Sequence, residues 1–368
     1  MAKPYAPNAL PLDGLDYKLL LPLVGQANAA LARYDGLLEG ITNPSIMLSP
    51  LSNEEAVLSS KIEGTQATVD EVLEHEAGLL KDGEKSKDIQ EILNYRAALF
   101  AASDYLKERP ITLSFLRETH KILLNSVRGK DKTPGEFRKE QNWIGKAGCN
   151  IEEASFVPPN PLQLPDYLER LQKYIAGDDI DILLQVAVVH AQFELLHPFN
   201  DGNGRIGRLL IPLFLYQKKK LSQPMFYLSA YLERNREEYY QRLRNISHEN
   251  DWNGWIVFFL KAIIEQARIN TQKVRAIMSL YETMKGQILS ITHSQYSIQA
   301  LDAMFNRPIF KTTDFTTTTG IHKPTAMNLL RQLKEAKILN TLQEASGRRA
   351  AVLCFPQLIN IAEGKDIL

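Results

Sequence analysis

The chain has 368 residues, 44% hydrophobic and 23% charged, and its 43 basic and 43 acidic side chains give a formal net charge of zero. This length predicts two or three domains, and the neutral balance excludes a basic field over the whole surface that would attract nucleic acid. Two cysteines, Cys149 and Cys354, exclude a disulfide framework and a cysteine zinc site. Because no apolar run is as long as a membrane span and the N-terminus lacks an apolar signal core, we expect a cytoplasmic protein without membrane contact.

Apolar residues recur every three or four positions through most of the chain, which is the spacing of one helix face. The fold class is therefore predicted to be all-α. These stripes predict helices over Leu19–Ala27, Ile89–Leu106, Leu113–Leu124, Leu168–Ile175, Ile182–Leu196, Arg205–Tyr216 and Trp252–Tyr281.

Two shorter features lie among these helices. Ser52 and Glu55 have the spacing of a capping box, and Gly64 can end the helix that they would begin. Asn142–Val157 mixes glycine and asparagine with short apolar pairs and runs into two prolines. This composition favours a β-hairpin or an exposed flap.

After about Tyr281 the pattern changes to a helix, a turn at Gly320, a second helix and two short strands, predicted at Ile338–Leu342 and Ala350–Phe355. That order is typical of a winged helix. Three acidic residues and eight basic ones lie between Asn306 and Ala350; the basic ones are Arg307, Lys311, Lys323, Arg331, Lys334, Lys337, Arg348 and Arg349. The basic excess indicates DNA contact or a protein-docking face, and the sequence leaves both open.

The most informative segment is HPFNDGNGRIGR at residues 197–208. Pro198 follows a predicted helix and disfavours its continuation, so the chain must loop before the next helix begins near Asn203. Glycines let the loop backbone approach a ligand, and the N-terminus of the next helix favours phosphate.

Charged side chains in this segment have complementary chemistry. Arg205 and Arg208 lie on one helix face, where guanidinium groups can grip phosphate oxygens. Asp201 is a hard oxygen ligand that can hold Mg²⁺ against those phosphates. His197 can take a proton from an attacking hydroxyl at neutral pH.

Three other interpretations compete. Gly202-x-Gly204-x-x-Gly207 has the letters of a dinucleotide-binding loop, but that loop must follow a strand, and here a helix and His-Pro precede it. A purely structural loop does not need both arginines and the histidine. A metal hydrolase using His190 and His197 lacks a third convincing ligand.

The segment resembles the signature of the Fic family, HPFx(D/E)GNGRxxR, and meets it at every specified position. The resemblance implies a Fic-type helical core and transfer of AMP from ATP to a Tyr, Thr or Ser hydroxyl of another protein. It implies that His197 is the base and that Asp201 binds Mg²⁺. The nucleotide phosphates would be held by Gly202, Asn203, Gly204, Arg205, Gly207 and Arg208, with Asn203 orienting the α-phosphate. Relatives that phosphorylate their targets typically have Lys at the position of Gly204.

Three further segments are similar to parts of this family. Phe156 and Val157 resemble the flap that pairs with an extended stretch of the target. Tyr239 and Tyr240 resemble tyrosines near the adenine pocket, although core packing explains at least one of them equally well. Ser59, Glu63 and Gly64 match the inhibitory motif (S/T)xxxE(G/N), in which Glu63 would pair with Arg208 and restrain the enzyme.

The sequence thus predicts an N-terminal helical region at 1–85 carrying the inhibitory helix, a Fic core at 86–280 and a winged-helix-like domain at 285–368. ATP and a protein substrate are the expected partners, and a homodimer is left open. The alternative function is a DNA-binding regulator whose Fic-like core senses nucleotide, which would not need His197.

Overall fold

The computed structural model describes residues 3–79, 83, 85–125, 132–146, 148–347, 349–364 and 366. These residues form two compact units. One unit contains the chain up to Asp35 together with Leu58–Thr65 and Gln90–Arg268. The other contains Gly36–Val57, Gln66–Ile89 and the chain from Ile269 onward. The three-part division at 1–85, 86–280 and 285–368 stays a prediction.

The first unit is built from helices. The helices that lie wholly or mostly in it are α1 Tyr17–Glu39, α5 Ser86–Tyr105, α6 Leu113–Leu123, α7 Leu164–Ala176, α8 Ile182–Leu196, α9 Asn203–Gln217, α10 Ser229–Arg234 and α11 Arg236–Glu249. The unit also contains the last turn of α3 (Ser49–Ile62) and the first part of α12 (Trp252–Thr292). The stripes read from the sequence fall on α1, α5, α6, α7, α8, α9 and α12, so the all-α prediction is confirmed.

Helix α8 lies at the centre of this unit. It is apolar on all sides and nearly all of its residues are buried, which is the pattern of an internal helix. It packs against α7, α9 and α11, and Nε1 of Trp255 donates to the carbonyl of Ala187 over 2.9 Å. The end of α8 and the start of α9 are therefore fixed by a close-packed core.

The second unit combines helices with a small sheet. Its remaining elements are α2 Pro44–Met47, α4 Val69–Glu76, α13 Ser297–Asn306, β1 Ile309–Lys311, α14 Thr312–Thr319, α15 Lys323–Glu335, β2 Asn340–Gln343, β3 Val352–Cys354 and α16 Pro356–Glu363. The strands are antiparallel in the order β1-β3-β2, with Phe310 opposite Leu353. Both strands expected after α15 are present, while the assignment of a winged helix stays a prediction.

Pairing between opposite charges reduces the basic excess near α15. Arg331 lies 2.6 Å from Glu335, and Lys334 lies 3.7 Å from Glu344. Arg348 is outside the described residues. The choice between DNA and protein as a partner stays open.

Two local predictions need correction. Ser52 does not cap a helix, because α3 begins at Ser49 and the Ser52 hydroxyl donates to the Ser49 carbonyl. The expected β-hairpin at Asn142–Val157 is a single antiparallel bridge between Ile144 and Phe156, with a short 3-10 turn at Ile151–Glu153. Among the described helices, none combines the length and apolarity required to cross a membrane.

Candidate active site

The turn after α8 places His197 in an unusual backbone conformation. Its φ is 46° and its ψ is 59°, in the left-handed region that residues with a side chain rarely adopt. Arg138 supports this turn, because Nε donates to the His197 carbonyl over 3.0 Å and a terminal nitrogen donates to the Pro159 carbonyl over 2.5 Å. A buried cation at a helix C-terminus also suits the helix dipole. No local pattern in the sequence indicates this role of Arg138.

Asn203 closes the loop between α8 and α9. Its Oδ1 accepts from the Phe199 N–H and its Nδ2 donates to the Phe199 carbonyl, both over 2.8 Å. The family resemblance implies that this side chain orients the α-phosphate. Because the two bonds to Phe199 use Oδ1 and one N–H of Nδ2, a single amide N–H is left to contact a phosphate. That this N–H orients the α-phosphate therefore stays a proposal.

His120 supports the same loop from α6. Its Nδ1 accepts from the Gly135 N–H and its Nε2 donates to the Asp201 carbonyl, each over 2.9 Å. Its ring stacks on Phe199 with centroids 3.7 Å apart. Burial lowers the pKa of His120 to about 4, so the ring is neutral and keeps this tautomer at pH 7. Sequence reasoning also missed this residue.

The imidazole of His197 is poised in its neutral form. Burial lowers its pKa to about 4, against the opposing effects of the Glu194 carbonyl and the Glu63 carboxylate. Nδ1 is buried. A neutral ring at pH 7 can accept a proton, as a general base requires.

Arg208 is held by the two residues of the inhibitory motif. Nε donates to the Ser59 hydroxyl over 2.9 Å, and a terminal nitrogen donates to the Ser59 carbonyl over 2.9 Å and to Oε1 of Glu63 over 2.7 Å. Gly64, with φ of 103°, follows the end of α3 as expected. The Arg208 side chain is 1% exposed, whereas the Glu63 side chain is 35% exposed.

The pKa values of this ion pair agree with its geometry. Burial works against ionisation of Glu63, but the Arg208 guanidinium outweighs it and holds the pKa of Glu63 below its usual value. Burial likewise opposes the charge on Arg208, and Glu63 more than compensates and raises its pKa. Oε1 also lies against Gly204, where a Cβ would overlap with it. Glu63 therefore lies beside Gly204, which the family resemblance implies is one of the residues that hold the nucleotide phosphates.

Arg205 is tied to two carboxylates. Its guanidinium lies 3.2 Å from Oε2 of Glu91 on α5 and 3.6 Å from Oδ1 of Asp201. The Asp201 side chain is 42% exposed, and the Gly202 N–H donates to its Oδ1 over 2.6 Å. No motif in the sequence points to Glu91.

Asp201 suits a magnesium ion that is already bound to phosphates. In the part of the chain that the structure describes, no cluster of three or more histidine, cysteine or acidic side chains could hold a metal ion by itself. Mg²⁺ typically takes one or two carboxylates together with phosphate oxygens and water. A single exposed carboxylate beside the start of α9 fits that donor set.

Gly207 allows α8 and α9 to approach closely at Glu194. A Cβ at position 207 would overlap with Oε1 of Glu194 and lie 3.3 Å from the ring of Phe193. Oε1 is buried and has no hydrogen-bond partner among the described residues. Gly207 therefore contributes to helix packing beside the site.

The two tyrosines have different surroundings. Tyr239 is buried and its hydroxyl donates to Nε2 of His190, whose Nδ1 donates to the Gly207 carbonyl over 2.9 Å. Both ring nitrogens of His190 are thus occupied by hydrogen bonds, so neither is available to a metal ion, and the structure gives no support to a metal hydrolase. Tyr240 is only partly buried and lies beside Arg236, whose guanidinium is 5.9 Å from the ring centroid.

Comparison with known families agrees with this arrangement. The family model described as Fic/DOC family N-terminal matches residues 21–104, and the Fic/DOC family model matches residues 110–215. The two matches together cover more than half of the chain. The chain belongs to the Fic/DOC family. Its loop between α8 and α9 lies within the second match and carries the complete Fic signature.

Curated relatives of this Fic chain are protein adenylyltransferases by name. A probable protein adenylyltransferase of Aquifex aeolicus (strain VF5) is 26% identical over 210 residues, which cover 54% of this chain and 55% of that protein. The protein adenylyltransferase Fic of Culex quinquefasciatus is 28% identical over 188 residues, which cover 50% of this chain and 34% of that protein. The Fic chain therefore spans about half of the first relative and a third of the second.

Solved structures share its fold. A Fic family protein from Desulfovibrio desulfuricans G20 superposes with a TM-score of 0.60 at 20% identity, covering 96% of this chain and 98% of that one. A Fic domain containing signaling protein from Bacteroides thetaiotaomicron VPI-5482 gives 0.56 at 19% identity, covering 68% and 97%. These likenesses show that the chain has a Fic fold.

Proposed function

We propose that this Fic chain is a protein adenylyltransferase that moves AMP from ATP to a hydroxyl side chain of a target protein. The observation that carries the proposal is the loop between α8 and α9. It joins a neutral imidazole at His197 to the N-terminus of α9, where Arg208 is buried one turn further on. The names of the relatives support the same activity.

The proposed reaction is an in-line displacement at the α-phosphorus. The target hydroxyl oxygen forms a bond to phosphorus while the bond to the β-phosphate bridging oxygen breaks, so pyrophosphate leaves with that electron pair. His197 accepts the hydroxyl proton. Because no covalent enzyme intermediate is needed, positioning and charge neutralisation supply most of the rate.

The start of α9 would hold the phosphates. Its first N–H groups have no partner within the helix and carry the positive end of the helix dipole, so they favour an anion. Arg205 and Arg208 would contact the outer phosphates. Asp201 would hold Mg²⁺, which neutralises phosphate charge when it is bound.

The same contacts support self-restraint. Two of the three guanidinium nitrogens of Arg208 donate to Ser59 and Glu63, so they are not available to a γ-phosphate. The Glu63 carboxylate also places negative charge beside Gly204, where phosphate oxygens would have to lie. We therefore propose that Glu63 holds this Fic enzyme in a slow state.

The choice of ATP label tests the activity and separates it from the nucleotide-sensor alternative. We expect the added chain to increase the labelling of protein in a host lysate from α-labelled ATP, and to cause no increase from γ-labelled ATP over the lysate alone. His197→Ala should abolish the α-label transfer yet keep ATP binding, measured by calorimetry. Transfer that persists without His197 would contradict the mechanism, and ATP binding without any transfer by Glu63→Gly, in which the proposed restraint is removed, would favour a sensor.

A further inference from the structure

Tyr5, near the start of the described residues, lies against the flap. The backbone N–H of Tyr5 donates to the Val157 carbonyl over 2.9 Å. The Tyr5 ring packs on Phe156 with centroids 5.8 Å apart, and burial raises the pKa of its hydroxyl. Phe156 and Val157 are the residues expected to pair with an extended target. The chain therefore already occupies part of the edge on which a target would dock.

A second contact anchors this segment at its other end. Nδ2 of Asn8 donates to Oδ1 of Asn250 over 2.9 Å, and Nε1 of Trp252 donates to Oδ1 of Asn8 over 3.1 Å. Two points of attachment therefore hold the segment: Tyr5 on the flap and Asn8 at the start of α12.

Its composition favours an extended backbone. The sequence Lys3-Pro4-Tyr5-Ala6-Pro7-Asn8 places a proline on either side of the tyrosine. Each proline fixes its own φ and disfavours helical geometry in the residue before it. An extended backbone can pair with an exposed strand edge as an added strand does, through main-chain hydrogen bonds and side-chain contacts. The segment thus has the properties of a flap ligand.

We propose that Lys3–Asn8, here called the N-terminal strap, is an internal competitor for target docking. A protein target then displaces it with an extended segment that presents an aromatic residue to Phe156. This inference rests on the proposed function for the meaning of the flap. Because the strap is covalently attached, its effective concentration at the flap is about millimolar, and a weakly binding target is outcompeted.

Peptide binding tests the strap without requiring catalysis. The probe is a fluorescent peptide with the sequence of residues 3–8, and anisotropy measures its affinity for the full-length chain. The release variant carries Tyr5→Ala and Asn8→Ala, which remove the ring contact and the second anchor. Lys3→Ala is the matched control, because it alters an exposed residue of the same segment.

We expect the release variant to bind the peptide about tenfold more tightly than the native chain, the scale of losing a ring contact and a side-chain hydrogen bond. Lys3→Ala should bind like the native chain. Adding Phe156→Ala to the release variant, or replacing the tyrosine of the peptide by alanine, should reverse the gain. Equal affinity for the native and release proteins, including no binding to either, would overturn the proposal.

Thermal unfolding of each variant confirms that it is folded, and a folded Asn8→Ala single variant provides a second test if the double variant is unstable. Since the measurement contains no ATP, absence of adenylyl transfer would refute the proposed function and leave the strap result intact.

Discussion

Two carboxyl groups approach the guanidinium of Arg208 in different protonation states. Glu63 forms the hydrogen-bonded ion pair, and its pKa is held below the usual value. Burial raises the pKa of Glu194 to about 8, with Arg208 acting against this shift and Glu63 reinforcing it. The Arg208 guanidinium therefore stabilises the ionised form of Glu63 only, and Glu194 keeps its proton at neutral pH.

Replacing Glu194 tests this protonation. An unfolded glutamate ionises near 4.5, whereas the folded carboxyl keeps its proton up to about 8. Folding stability supplied by the native carboxyl is therefore lost as pH rises through that window. Because glutamine does not titrate, the free energy of unfolding of Glu194→Gln should rise relative to that of the native chain as the pH is raised from 5 to 8. Urea unfolding at both values measures the gain, and a difference that does not grow with pH would contradict the assignment.

At the scale of elements, the site is a loop fixed between two buried helices. The Asn203 side chain bonds both the N–H and the carbonyl of Phe199. His120 donates to the Asp201 carbonyl, and Arg138 donates to the His197 carbonyl. Such a network stabilises one loop shape because these backbone carbonyls and the Phe199 N–H have hydrogen-bond partners. The left-handed backbone at His197 persists for the same reason.

The two asparagines of the loop provide a matched test. Asn203→Ala removes two buried hydrogen bonds and should lower the free energy of unfolding by about 1–3 kcal/mol. Asn200→Ala removes one exposed contact, from its Nδ2 to the Thr133 hydroxyl, and should change it by less than about 0.5 kcal/mol. Denaturant unfolding measures both variants. Equal effects from the two substitutions would show that Asn203 does not hold the loop.

At the scale of the molecule, the sequence predicted what local patterns encode. Buried helix faces repeat every three or four residues, so α5–α9 and α12 could be read directly. The loop could be read because its residues are adjacent in sequence. The helix α11 was missed because its few buried residues, Tyr239, Leu243 and Ile246, stand among charged ones.

The supporting residues of the site could not be predicted because their partners are distant in the chain. Arg138 bonds to a carbonyl 59 positions away, His120 to one 81 positions away, and Glu91 pairs with a guanidinium 114 positions away. Such contacts exist only after the helices pack. The bond between Tyr5 and Val157 is of the same kind.

The most direct test of restrained adenylyl transfer is the initial rate of α-label incorporation by Glu63→Gly, with the native chain and Lys61→Ala as references. Lys61 lies in the same last turn of α3, is half exposed and pairs with Glu233, so its loss should leave the rate unchanged. Glu63→Gly frees Arg208 from a charge-assisted hydrogen bond and should raise the rate about tenfold or more. Equal rates for Glu63→Gly and the native chain would contradict the account.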